Sequence, residues 1–424
     1  MATVSRVRTA RHAAALWARR HPGLFAFSAV VGPGVLAGLS DDDPAGITTY
    51  SILGADFGYR LLWVLLLSTV ALVVFHELGA RMGVVTGRGL TALVRGQYGS
   101  RASVTAGIAL VVANIGTTAA EFAGVAASLE LAGITRYLSV PAAAILVSTL
   151  VVRGSFRRVE HVLLALAAVF VAYIVSGFLA HPDWSAAARG FVVPSLPLER
   201  HALLVATATL GTTLAPWGLA FIQSYAVDKR LGPKDLRYER LDVIGGAVMT
   251  GVIGFFIVVA CAATLHLNGQ SIDEARDGAI ALRPLAGSLA STLFATGLLG
   301  ASLLAAAVLP LSTAYSVSEA LGRESRIEAS VRSEPVFYGT YFVVVAVGAS
   351  VVLLPGAPLV PILFLTQALN AVLLLPLLVL MILLARDRSL MGEHAIGRGQ
   401  TALAVALIAL VAASTATLGV LAIQ

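Results

Sequence analysis

The chain has 424 residues, 58% of them hydrophobic and only 12% charged, with a mean hydropathy of +0.88. A soluble globular domain carries about twice that share of charge, so an ordinary soluble fold is excluded. The net charge of +6 resides in loops between apolar runs, the distribution of topology signals rather than of a nucleic-acid face.

Residues 1–20 hold five Arg ahead of the first apolar run, with no small-residue cleavage site behind a short apolar core. They read as a retained cytoplasmic tail, not a removed leader. Eleven apolar runs then follow, at about 24–55 (interrupted), 59–83, 102–132, 135–152, 159–180, 201–227 (interrupted), 241–267, 285–320, 335–354, 358–385 and 400–423. Runs of about 20 apolar residues are long enough to cross a bilayer core as helices, which predicts an all-α polytopic membrane protein. The eighth run is long enough for a span plus a helical extension. The lone Cys261, inside an apolar run, excludes both a disulfide framework and a thiolate metal site.

With the N-terminus inside, 23 of the 29 Lys and Arg fall on the cytoplasmic side. The other 6 are Arg60, Arg136, Arg189, Arg200, Arg276 and Arg283. Inverting the chain inverts that ratio, so the expected topology is N-terminus in, C-terminus out, in a cell membrane.

The first span contains Asp41, Asp42 and Asp43 followed by Pro44, Ala45 and Gly46. A charge at mid-bilayer costs at least about 2.5 kcal/mol on insertion scales, so embedded carboxylates are rarely idle. Three successive acids cannot share one helix face, since each residue turns by about 100°. Pro44 removes a backbone donor and disfavours helix at Asp43, and Gly46 lets the chain pass close to a neighbour. These residues predict an unwound point, tolerated at that depth only inside protein or along a watery cavity. The sixth span carries the same Pro-x-Gly, with Pro216 and Gly218 lying 172 residues after Pro44 and Gly46. Residues 21–180 and 201–386 then form two five-span halves, inverted because the number is odd, with 400–424 as an eleventh helix. Matched interruptions in inverted halves point to a secondary transporter with a midplane site between them.

Several stretches carry a family resemblance: DDDPAGITTYSILGADFGYRLLWVLLL, HELGARMGVVTGRGL, TTAAEFAG, TLAPWGLAFIQS and TQALNAVLLLP. The chain resembles the Nramp (natural resistance-associated macrophage protein) family of divalent-metal transporters over nearly its whole length. The resemblance implies a LeuT-type 5+5 inverted repeat with discontinuous helices 1 and 6, a divalent metal ion and the lipid bilayer as partners, and no cofactor. No nucleic acid and no oligomer is implied. Transition-metal members carry Asp-Pro-Gly-Asn in helix 1 and Met-Pro-His in helix 6. Here the first motif reads Asp43-Pro44-Ala45-Gly46 and the second Ala215-Pro216-Trp217. The family's helix 3 proton-carrying pair, Asp-x-x-Glu, reads Thr118-Ala-Ala-Glu121, and a second helix 6 histidine has no counterpart around Ile222–Gln223.

These departures share a chemical direction. Thioether sulfur selects softer metals, whereas oxygen ligands suit Mg²⁺, Mn²⁺ and Ca²⁺. Mg²⁺ dehydrates reluctantly and keeps several waters, so a wide oxygen-only site suits it. The chain is thereby similar to the Nramp-related magnesium transporters, regarded as passing Mg²⁺ and Mn²⁺ without proton coupling. Asp43 is the expected metal carboxylate. Gly46 and Ala215 contribute by being small, and carbonyls near Ala45, Thr212 and Thr213 are candidate ligands. Asp41 and Asp42 either line a cation-attracting vestibule or bond freed backbone amides.

Gln367 and Asn370, three apart on one face, are read as lining the ion path, the alternative being an interhelical hydrogen bond. Gln223 is balanced between the same two roles. Glu121, on one face with Asn114, is read as a buried hydrogen-bonded or protonated acid rather than a remnant proton site. His76 and Glu77 are read as structural, with Arg81 at i+4 from Glu77 as its partner, and Trp217 as packing or a gate. The expected function is alternating-access uptake of Mg²⁺ and Mn²⁺, and the rival is a proton-coupled Mn²⁺/Fe²⁺ symporter. An enzyme is not expected: His76-Glu77 is not followed by the second histidine of a zincin, and neither a Gly-x-Ser-x-Gly elbow nor a phosphate-binding loop occurs.

Overall fold

The computed structural model describes residues 42–153, 172–273, 275–323 and 330–423, and every regular element among them is helical. The N-terminal tail, the opening part of span 1 with Asp41, and most of span 5 lie outside the described residues. In chain order the main helices are α1 (Pro44–Phe57), α2 (Leu62–Thr86), α3 (Leu90–Glu130), α4 (Arg136–Val152), α5 (Ala172–Leu179) and α6 (Trp184–Val192). They continue as α7 (Arg200–Thr213), α8 (Pro216–Asp228), α9 (Leu236–Thr264), α10 (Ala290–Ala320), α11 (Pro335–Val352), α12 (Leu359–Arg386) and α13 (Arg398–Ile423). Eight stretches among the described residues are long and apolar enough to cross a membrane, α7 and α8 together making one of them. They correspond to spans 2, 3 and 6–11, while α4 is a shorter apolar helix at span 4.

Two boundaries differ from expectation, each at a glycine. Span 3 was expected from residue 102, yet helix begins at Leu90 and is interrupted by Gly99 at φ 83°, ψ 173°. That backbone is open essentially to glycine alone, so a short helix precedes the span proper. The eighth span begins at Ala290 rather than 285, because Gly287 takes φ 53° and ends a preceding short helix. The extension foreseen there is thus a set of short turns, not a continuation.

Without water to solvate free amides, backbone bonds must close within each helix, and cohesion falls to close packing of small residues. The glycines show where. Gly254 of α9 faces the Tyr50 ring of α1. A Cβ at Gly79 would come within 3.3 Å of the Leu219 carbonyl, and one at Gly83 within 2.6 Å of the Gln223 carbonyl, so α2 and α8 touch backbone to backbone. Gly211 meets the Gln367 carbonyl and the Ala371 amide in the same way, joining α7 to α12. One charged tie is largely buried. Glu77 accepts from Arg81 at 2.6 Å, as the i,i+4 spacing predicts, and from Arg240 of α9 at 2.6 Å. Arg81 also reaches the His394 carbonyl and Gln400 ahead of and within α13.

Candidate functional site

The α1 helix starts where the sequence forbids anything earlier. Asp43 is extended (φ −74°, ψ 170°) and serves as the N-cap, its Oδ1 accepting the Gly46 amide at 2.6 Å, with Pro44 in the first turn. A carboxylate capping a helix N-terminus satisfies an otherwise orphaned amide and meets the positive end of the helix dipole. Asp43 is only 3% exposed and Asp42 only 2%. Neither Asp42 oxygen receives a donor, so that acid does not bond freed amides as one reading of the sequence had it, nor does it face an open vestibule. The Ala45 carbonyl lies within α1 and accepts the Thr49 hydroxyl at 2.8 Å.

Glu121 of α3 lies against this cap. Its carboxyl is buried beside that of Asp43, and no donor group reaches either of its oxygens. Two carboxyls buried side by side repel one another when both are ionised. What brings them together is Gly124, one turn further along α3. A Cβ there would stand 2.5 Å from both Pro44 and the Ser302 hydroxyl of α10, so the absence of a side chain lets α1, α3 and α10 converge. The sequence reading overlooked Gly124, because a glycine's role depends on what opposes it.

The sixth-span break occupies Leu214 and Ala215, between α7 and α8. Pro216 lacks an amide, so the Thr212 carbonyl loses its i+4 donor, and the Thr212 hydroxyl is also buried without a partner. Thr213 is engaged: it donates to the Thr209 carbonyl at 2.8 Å and receives the Tyr50 hydroxyl at 2.9 Å, fastening α7 to α1. Ala215 and Ala45 belong to one buried cluster that also contains Trp217 and Phe221. Trp217 is wholly buried, its ring 6.2 Å from that of Phe221, and its carbonyl accepts the Ser312 hydroxyl of α10 at 2.9 Å. It packs.

The remaining candidates sit further away. Asn370 donates to Thr117 Oγ1 and to Gln367 Oε1, each at 3.0 Å, while Gln367 donates to Thr366. In this conformation the pair forms a hydrogen-bonded seam between α12 and α3 rather than an open ion path. Thr118 turns its methyl toward Gly348 of α11. Gln223 donates to the Arg88 carbonyl at 2.9 Å, securing the α2–α3 connection. Asn114 donates to Thr313 of α10 at 2.8 Å, so the polar face of α3 is spent in succession on α10, α12 and α1. Among the described residues no group of three or more His, Cys, Asp or Glu side chains is placed to hold a metal ion. The available chemistry is one carboxyl pair, a neighbouring carboxylate and a carbonyl released by proline, all oxygen.

Known proteins share both sequence and fold with this chain. The family described as natural resistance-associated macrophage protein-like (Nramp) matches residues 34–421. A divalent metal cation transporter MntH of Burkholderia ambifaria is 30% identical over 387 residues, covering 89% of this chain and 85% of that protein. One of the same description from Acidiphilium cryptum is 32% identical over 291 residues, 66% of each. Among solved structures, the manganese transporter of Eremococcus coleocola superposes with a TM-score of 0.77 at 18% identity, over 92% of this chain and 85% of that one. Mhp1, a nucleobase-cation-symport-1 family transporter, does so at 0.57 and 16% identity, over 92% and 91%.

Proposed function

The chain belongs to the Nramp family and is a multi-pass transporter of divalent metal cations, and we propose that the ion it carries is Mg²⁺, with Mn²⁺ as a second substrate, by alternating access without proton coupling. The observation that carries the choice of ion is the donor set at the two breaks. Asp43 supplies a carboxylate and the Thr212 region a carbonyl, while positions 215 and 217 offer Ala and Trp instead of sulfur or imidazole. Oxygen donors favour hard cations, and Mg²⁺ is held by one or two carboxylates with several waters kept. Gly46 and Ala215 leave room for that water as the site opens. The N-terminus is assigned to the cytoplasm and the C-terminus to the outside, on the uneven Lys and Arg distribution.

A proton-coupled Mn²⁺/Fe²⁺ symporter is the second reading, favoured by the burial of the Asp43 and Glu121 carboxyls beside each other: a cation arriving at Asp43 displaces a proton from the pair. One experiment separates the two. Proteoliposomes with a pH dye inside are given Mg²⁺ or Mn²⁺ outside. Saturable uptake of both ions with no proton movement, and near-complete loss in Asp43→Ala, is the expected result. Acidification in step with Mn²⁺ entry, with Mg²⁺ excluded, selects the symporter instead.

A further inference from the structure

A cavity of about 540 Å³ opens at the ends of α8 and α10 beside the α2–α3 connection. Among the described residues its charge is lopsided: Arg88, Arg95, Arg230 and Arg323 line it against two carboxylates, Asp228 and Glu319. Both carboxylates are already engaged. Glu319 Oε1 accepts the Ser224 hydroxyl at 2.7 Å, and Oε2 lies 2.9 Å from the Thr91 hydroxyl. This carboxyl fills the space a Cβ at Gly89 would need. Asp228 Oδ2 accepts the Tyr315 hydroxyl at 3.2 Å.

The guanidiniums are not so engaged. Among the described residues Arg88, Arg230 and Arg323 have no carboxylate partner, and all three are exposed to the cavity mouth. Arg95 donates to the Ala320 carbonyl at 2.7 Å and lies flat against Gly322, which adopts φ 76°. Arg230 itself is held at φ 57°, a left-handed backbone that non-glycine residues adopt only when their surroundings enforce it. The preference for positive charge on one membrane side accounts for arginines in these loops. It does not account for four of them around one concavity, one on a strained backbone.

We infer that this cavity binds a phosphate-bearing anion. Guanidinium presents paired donors that match phosphate oxygens, and the volume is that of a small-molecule pocket. A divalent cation is repelled by the same charges, so the cavity is not a stage on the ion's path. The shared chemistry is a phosphate group, carried either by a soluble compound or by an anionic lipid headgroup, and the test separates these sources.

Full-length protein in phosphatidylcholine nanodiscs, with chelator present, is titrated calorimetrically with ATP and with inorganic pyrophosphate. In parallel, its melting temperature is compared between phosphatidylcholine discs and discs containing phosphatidylglycerol. Saturable binding of either soluble probe supports a soluble ligand, and stabilisation by phosphatidylglycerol alone supports a lipid one. In both cases Arg88→Gln and Arg230→Gln each weaken the effect about tenfold or more. Arg189→Gln, on α6, leaves it unchanged, and the Lys pair R88K/R230K retains more of it than the Gln pair, which guards against misfolding as the cause. Absence of any response in the wild type, or a response that survives in the Gln pair, overturns the inference.

Discussion

Asp43 caps α1 and faces Glu121 at the same time, so its neighbours are as consequential as the acid itself. Replacing Glu121 with Ala leaves the Asp43 carboxyl without its polar partner in a dry setting. The expected cost is about 1–3 kcal/mol, read as a lower melting temperature, whereas Glu121→Gln restores a donor and keeps the wild-type value. Ion choice is testable at the same scale. Ala215→Met returns a thioether to the break, and uptake is expected to shift from Mg²⁺ toward Cd²⁺, measured as competition between the two in proteoliposomes. Asp43 was legible in the sequence because an acid beside a proline in an apolar run has few structural excuses. Gly124 was not, since nothing in TTAAEFAG says that Pro44 and Ser302 will press on it. Nor was the bond at the Ala45 carbonyl: the hydroxyl that reaches it comes from Thr49, one turn along the same helix.

At the scale of the element, hydropathy found the spans and missed what glycine does inside them. Residues 90–98 read as loop because Arg95 and Gln97 interrupt the apolar pattern, yet they are helical up to Gly99. Any other residue at Gly99 must adopt φ near 83° or straighten the chain there. Gly99→Ala is therefore expected to destabilise the protein by about 1–3 kcal/mol, seen as a lower melting temperature. The sixth-span break was read correctly from Pro216 and Gly218, because proline removes an amide whatever surrounds it. Its counterpart in span 1 is described only from Asp42 onward, where the backbone is non-helical up to Pro44.

For the whole molecule, the two backbone-to-backbone seams have a consequence for movement. Where main chains touch directly, no side chain is free to change rotamer and let the surfaces slide, and packed interfaces shift between discrete arrangements instead of deforming. Spin labels at Thr86 and Lys229, near the ends of α2 and α8, are thus expected to keep their separation when metal is added. Labels at Lys229 and Arg386 are expected to change theirs, and the reverse pattern in pulsed electron resonance overturns the assignment. Gly79 and Gly83 weld the second half of span 6 to one part of the bundle, and Gly211 welds its first half to another. Leu214 and Ala215 are then less a gap in a helix than a joint between two tightly packed seams.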